Sequence, residues 1–244
     1  MYYTFESRIR YSEVDSHGLL TMESLMNYFQ DCSTFQSEDN GAGLAWMFAR
    51  REAWVVSSWQ VIVNRFPAHC ERVIIGTIPY EMKGFIGYRN FYMQTVDGEQ
   101  LAIANSVWSL INIDSGLPSR ISQEVADAYP VFDKLPMNYL PRKIPFPAEG
   151  TVSDGKKIQV IEDYLDTNQH VNNEQYIRMA VNNLPDRSAQ IRQLRAEYKQ
   201  QARLGDMICP KINTQTAEDG RPVYTVALNT TEGAPYCTVE LTLA

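Results

Sequence analysis

Long apolar runs are missing from this 244-residue chain; none approaches the ~18 residues that a bilayer span needs. The opening MYYTFESRIRYSEVD carries neither a basic segment leading into an apolar one nor an Arg-rich transit pattern, so a cytoplasmic protein is expected. Basic residues are in the minority, 22 against 29 acidic, for a net charge of −7. Nucleic acid as a partner is thereby disfavoured, because phosphate contacts call for a basic surface. Histidine is scarce, with only His17, His69 and His170, all far apart in sequence. The four cysteines, Cys32, Cys70, Cys209 and Cys237, form no C-x-x-C pair and no Cys/His group at zinc spacing. Buried free thiols are the expectation for them, and neither a metal nor another cofactor is expected. What the chain does have is 4 Trp, 14 Tyr and 9 Phe in a 44% hydrophobic composition. That content excludes disorder as the dominant state and suffices for a sizeable core.

The order of elements repeats. Val14-Asp15-Ser16-His17 and Thr167-Asn168-Gln169-His170 each follow a β-prone stretch and each precede a helical pattern. In the first half Met22, Leu25, Met26, Phe29 and Cys32 fall at helical spacing, predicting a helix over 21–38. Thr21 is its expected N-cap, Glu23 sits in its first turn, and Gly41 and Gly43 end it. Strands are predicted at 54–66, 71–82, 86–96 and 101–113, with Asp97-Gly98 as a hairpin turn. In the second half Asn172 and Gln175 have capping-box spacing, and Val171 with Tyr176 has that of a hydrophobic staple, so a helix is predicted from 172. Strands follow at 190–204, 206–217, 221–230 and 235–243, with a turn at Asp219-Gly220.

Between the halves, 115–150 carries six prolines, which no helix interior or central strand tolerates. The expected organisation is a first domain over 1–114, a Pro-rich linker over 115–150 and a second domain over 151–244. Each domain is an antiparallel sheet wrapped around one long helix, an α+β arrangement that resembles two tandem hotdog folds.

Asp166, Asn168 and His170 place a carboxylate, an amide and an imidazole two residues apart, ahead of a helix start. In an extended segment such residues point to one side, so the three can converge. An imidazole titrates near neutrality and suits a general base. The amide can hold a water or a carbonyl. Unpaired N–H groups at the helix start, at Val171, Asn172 and Asn173, are positioned for an oxyanion. Water activation beside an electropositive helix end is what ester or thioester hydrolysis needs. The same residues also fit an Asx-rich loop that only caps a helix. Asp15 and His17 form a poorer version, for which a structural part is favoured.

The run Asp166-x-Asn168-x-His170-Val171-Asn172-Asn173-x-x-Tyr176-Ile177 resembles the signature of acyl-acyl carrier protein thioesterases. So do Met22-Glu23-Ser24-Leu25-Met26-Asn27-Tyr28, the stretch from Trp54-Val55-Val56 to Arg65-Phe66-Pro67, and Ala104-x-Ser106-Val107-Trp108. The resemblance implies a double hotdog fold and hydrolysis of the thioester between a fatty acyl chain and the carrier's phosphopantetheine. It also implies catalysis by Asp166, Asn168 and His170, with the first half holding the acyl chain. Met22, Met26, Phe29, Trp54 and Trp59 are the large apolar candidates for that pocket. Plant members carry Glu-Tyr-Arg-Arg-Glu-Cys where this chain reads Glu197-Tyr198-Lys199-Gln200-Gln201-Ala202. Gln201 thus replaces the carboxylate and Ala202 the thiol. Gln201 can bond a water but cannot take its proton, so the base role moves to His170 or Asp166.

The implied partner is acyl carrier protein, which is acidic and needs a local basic patch here. Arg187, Arg192, Arg195, Lys199 and Arg203 supply one over 187–203, and alternation would put Arg195, Lys199 and Arg203 on one face. A solvated sheet face is the alternative. No stable membrane association is expected, and a homodimer is compatible with the sequence. Other readings are a hotdog thioesterase acting on coenzyme A esters, a dehydratase, or a non-catalytic acyl-chain sensor. The Asn-x-His loop argues against the dehydratase.

Overall fold

A computed structural model describes residues 2–186 and 189–244. The chain forms β1 (Tyr3–Arg8), α1 (Met22–Asp39), α2 (Leu44–Ala49), β2 (Glu52–Val63), β3 (Arg72–Lys83), β4 (Ile86–Thr95), β5 (Gln100–Asn112) and α3 (Gln123–Asp127). There follow β6 (Thr151–Asp154), β7 (Ile158–Gln159), α4 (Asn173–Val181), β8 (Ile191–Tyr198), β9 (Met207–Thr216), β10 (Pro222–Asn229) and β11 (Pro235–Leu243). These group into two compact units, one of residues 1–57 and 63–140, the other of 58–62 and 141–244. The chain therefore divides inside the Pro-rich stretch, and five residues of β2 group with the second unit.

In the first unit β1, β3, β4 and β5 pair in that order, all antiparallel, and α1 packs on β1 and β3. Thr21 caps α1 by accepting the Ser24 N–H at 3.2 Å. Its buried stripe runs Met22, Leu25, Met26, Phe29, Cys32, Ser33 and Gln36, the i, i+3, i+4, i+7 rhythm of one helix face. Each fully buried apolar side chain on that stripe contributes about 1.5–3 kcal/mol. Phe29 meets Phe91 of β4 with ring centroids 5.4 Å apart. Gln36 continues the stripe because the buried Arg89 guanidinium donates to its side-chain oxygen and to Thr77 Oγ1.

In the second unit Ser58–Ile62 pair with β8, and β11, β10, β9 and β6 follow antiparallel. Helix α4 lies on β10 and β11 and buries Tyr176, Ile177, Met179 and Ala180. A single helix on an antiparallel sheet, made twice, is the hotdog-type α+β architecture.

Several expectations need correction. The capping box at α4 does not form: Asn172 makes no side-chain cap bond, and the Gln175 amide instead donates to Glu174 at 3.0 Å. Strand β8 ends at Tyr198 rather than continuing to 204, because the N–H groups of Lys199 and Gln200 both reach one carbonyl, that of Tyr236. Helices α2 and α3 lacked a sequence signal. Six residues make no 3.6-period stripe, and α3 lies within the Pro-rich stretch with Ser122 as its cap. Of the thiols, Cys32 and Cys237 are buried as expected, but Cys70 is exposed. Among the described residues no helix is long and apolar enough to cross a membrane, and no group of His, Cys, Asp or Glu is placed to hold a metal.

Candidate active site

The segment 165–171 is a tight loop, not an extended strand. Leu165 and Val171 bridge antiparallel, and the Asp166 N–H donates to the His170 carbonyl at 2.8 Å. Asp166 Oδ1 sits inside the turn and accepts the N–H of Asn168 at 2.8 Å and of His170 at 3.2 Å. Gln169 takes the left-handed conformation, φ +62°, which lets four residues reverse the chain. An Asx-type turn around Asp166, rather than strand alternation, therefore ties its carboxylate to the backbone of Asn168 and His170.

The first unit contains the same loop. Val14 bridges Leu20, the Asp15 N–H donates to the Leu19 carbonyl, and Asp15 Oδ1 accepts from His17 and Leu19. Gly18, φ +76°, occupies the left-handed position. Asp15 thus matches Asp166, and His17 matches Asn168, while Leu19 stands where His170 is. The likeness of the two tetrapeptides ending in His17 and His170 was out of register by two residues. The carboxylate builds the loop in both units, but the imidazole stands at different places on it, two residues after the carboxylate at His17 and four after it at His170.

His170 is half-buried. Burial lowers its pKa, opposed by the nearby Asp166 carboxylate and assisted by the Arg203 guanidinium, so the ring is neutral at pH 7. Its Nδ1 is buried without a hydrogen-bond partner among the described residues. Asn168 is exposed.

The helix start is less open than its sequence suggests. The Val171 N–H donates to the Ala202 carbonyl at 3.0 Å and the Asn172 N–H to the Tyr164 carbonyl at 2.8 Å. Neither can serve an oxyanion. Of the three expected donors only Asn173 keeps an N–H with no partner given among the described residues. The Val171–Ala202 bond also sets Gln201, exposed in the irregular segment after β8, one residue from the backbone that carries His170.

Two tyrosines complete the surroundings, and the sequence signalled only packing for one of them. Tyr176 OH accepts the buried Ala202 N–H at 2.9 Å, and Tyr198 OH donates to the Asn173 carbonyl at 3.1 Å. Their rings meet edge to face at 5.9 Å. Burial pushes both hydroxyls above their ordinary pKa, so both are neutral.

The apolar candidates do not form one wall. Met22, Met26 and Phe29 lie in the core under α1. Trp54 packs instead against a cluster of Ala42, Met47, Leu110, Val125 and Tyr129, and Trp59 belongs to the stretch that groups with the second unit. Among the described residues, the expected alternation of Arg195, Lys199 and Arg203 on one face does not form. Arg195 is spent on Glu240 at 2.8 Å and on the Pro141 and Lys143 carbonyls. Lys199 pairs with Glu197 at 3.5 Å, and with β8 ended at Tyr198 no alternation carries on to Arg203. Arg187 lies outside the described residues.

Comparison with known proteins agrees with the fold. The acyl-ACP thioesterase N-terminal domain model matches residues 1–129, and the acyl-ACP thioesterase C-terminal domain model matches 149–242. The chloroplastic oleoyl-acyl carrier protein thioesterase 1 of Arabidopsis thaliana is 29% identical over 237 residues, covering 87% of this chain. This chain spans 63% of that relative's length. A solved Lactobacillus plantarum structure superposes with a TM-score of 0.90 at 24% identity, over 100% of this chain and 96% of the other. An acyl-ACP thioesterase from Bacteroides thetaiotaomicron gives 0.84 at 21% identity, over 99% and 97%. With both halves matched in order and the His170 loop inside the second match, the chain belongs to the acyl-ACP thioesterase family.

Proposed function

We propose that this protein hydrolyses the thioester that joins a fatty acyl chain to acyl carrier protein, releasing the free fatty acid and ending chain growth. The observation that carries this reading is the half-buried, neutral His170 on a loop held by Asp166. A neutral imidazole takes a proton from water as the oxygen attacks the thioester carbon. The proton then passes to the departing pantetheine sulfur, and acid and thiol leave. Asn168 donates its amide N–H to the carbonyl oxygen as charge builds there, with the Asn173 N–H as the remaining backbone donor. Gln201 orients the water and exchanges no proton. Asp166 acts through the backbone, fixing where Asn168 and His170 project. The first unit is the proposed seat of the acyl chain, with Met22, Met26 and Phe29 of α1 its candidate contacts.

Thiol release measured across chain lengths, from acyl carrier protein and from coenzyme A in parallel, tests the proposal. Faster release from the carrier-borne substrates is expected. Faster release from coenzyme A would reassign the substrate, and tight acyl binding without release of thiol from either would make the protein a sensor.

A further inference from the structure

We infer that Tyr176 and Tyr198 are positioning residues, whose hydroxyls hold the Gln201–Ala202 segment and the start of α4 in register with His170; the inference rests on the function proposed above. Its basis is a difference between the two halves of one chain. The 199–206 segment shares several backbone bonds with 64–71. Ala202 and Pro67 each accept from the residue after the loop, Val171 at 3.0 Å and Leu20 at 2.9 Å. The Gly205 N–H reaches Val160 as the Cys70 N–H reaches Ile9, and Asp206 accepts the Arg203 N–H as Glu71 accepts that of Ala68. In that register Ala202 matches Pro67 and Tyr198 matches Val63, while along the helices Tyr176 matches Leu25.

The exchange is chemically matched. In the first unit Pro67 has no N–H, and the counterpart of Tyr176 is Leu25, 1% exposed, whose side chain has no polar atom. In the second unit Ala202 has an N–H at 0% exposure, and Tyr176, itself 2% exposed, meets it with an oxygen at 2.9 Å. A buried N–H left unmet is costly, so the tyrosine and the N–H are kept as a pair. Proline at 202 would satisfy the same space with no hydroxyl at all, as position 67 demonstrates. It would also force residue 201 into extended backbone, as a proline does to the residue before it. Only the half that carries His170 uses the tethered arrangement. Tyr198 extends it, tying β8 to the first carbonyl of α4, three residues after His170.

The test compares Tyr176→Phe, Tyr198→Phe and the double variant Tyr176→Phe/Ala202→Pro, which, like the first unit, sets an apolar side chain and a proline at these two positions. With acyl carrier protein thioesters, Tyr176→Phe should lower kcat about tenfold, the worth of one hydrogen bond, with KM held within about twofold. Tyr198→Phe should lower kcat in the same way. The double variant should regain the thermal stability that Tyr176→Phe loses yet keep the low kcat. The His170 imidazole, titrated by NMR with Asp166 and Arg203 facing it, should move back toward 6.5 in Tyr176→Phe as the loop loosens. Native kcat and a native His170 titration in Tyr176→Phe, with only the melting temperature lowered, would overturn the inference. The titration reads the loop without substrate, so inactivity of the native protein would count against the proposed function and leave this comparison intact.

Discussion

Asp166 reaches His170 through the backbone: its Oδ1 accepts the His170 N–H at 3.2 Å, as Asp15 accepts that of Leu19 at 3.0 Å in the first unit. One loop is built twice, and the position of His170 is taken by Leu19 in the first copy. Asp166→Ala and Asp15→Ala should each lower stability by about 1–3 kcal/mol, since each removes the acceptor of two backbone bonds. Only Asp166→Ala should also abolish hydrolysis. Chemical denaturation alongside thiol-release assays checks this, and equal loss of activity in both variants would contradict it.

His170→Ala should reduce turnover by roughly 10²–10⁴, the usual worth of a general base, with the far-UV spectrum unchanged. Because burial lowers the pKa of His170, activity should rise with pH along a limb centred below 6.5 and level off by neutrality. That limb should vanish in the variant. The sign for stability follows from the same shift. The unfolded chain binds a proton at His170 more readily than the native one, so stability is full above 6.5 and declines as pH falls through the lower native value.

Gln201→Ala should cost only about 1–2 kcal/mol of transition-state stabilisation, the range of one neutral hydrogen bond. Steady-state kinetics on the two variants side by side should therefore leave Gln201→Ala far more active than His170→Ala. Equal losses would make Gln201 indispensable.

Met26 is 3% exposed in the core of the first unit, so Met26→Ala should cost about 2–5 kcal/mol of stability. It should also move the preferred acyl chain toward longer lengths, because the space vacated extends the proposed seat of the tail. A uniform fall in rate at every length would assign Met26 to packing alone.

Gln169 and Ala202 mark where reading the residues in order stops. The period-2 strands, the α1 stripe and the Thr21 cap are local, and the hairpin at Asp97-Gly98 closes as its dipeptide predicts, with the Gly98 N–H on the Thr95 carbonyl. Such features come from side-chain periodicity and turn chemistry within a few residues, so they are written in the sequence. The Asp166–Asn168–His170 set was legible for the same reason, although its geometry was misjudged, since strand spacing and an Asx turn read alike until Gln169 is seen at φ +62°.

By itself, then, the amino-acid order determined a duplicated α+β chain, the place of each long element and a histidine ahead of the long helix in each half. Tertiary structure alone decided which of the expected groups are free to act. The Val171 and Asn172 N–H groups are consumed by Ala202 and Tyr164, and Arg195 is consumed by Glu240, across separations of eight to forty-five residues. Those partners lie on other strands and loops, and their approach depends on sheet register and on how the chain turns after Tyr198. Hydrogen-bond donors are used up by whatever the fold brings within 3 Å of them, and no local pattern encodes that distance.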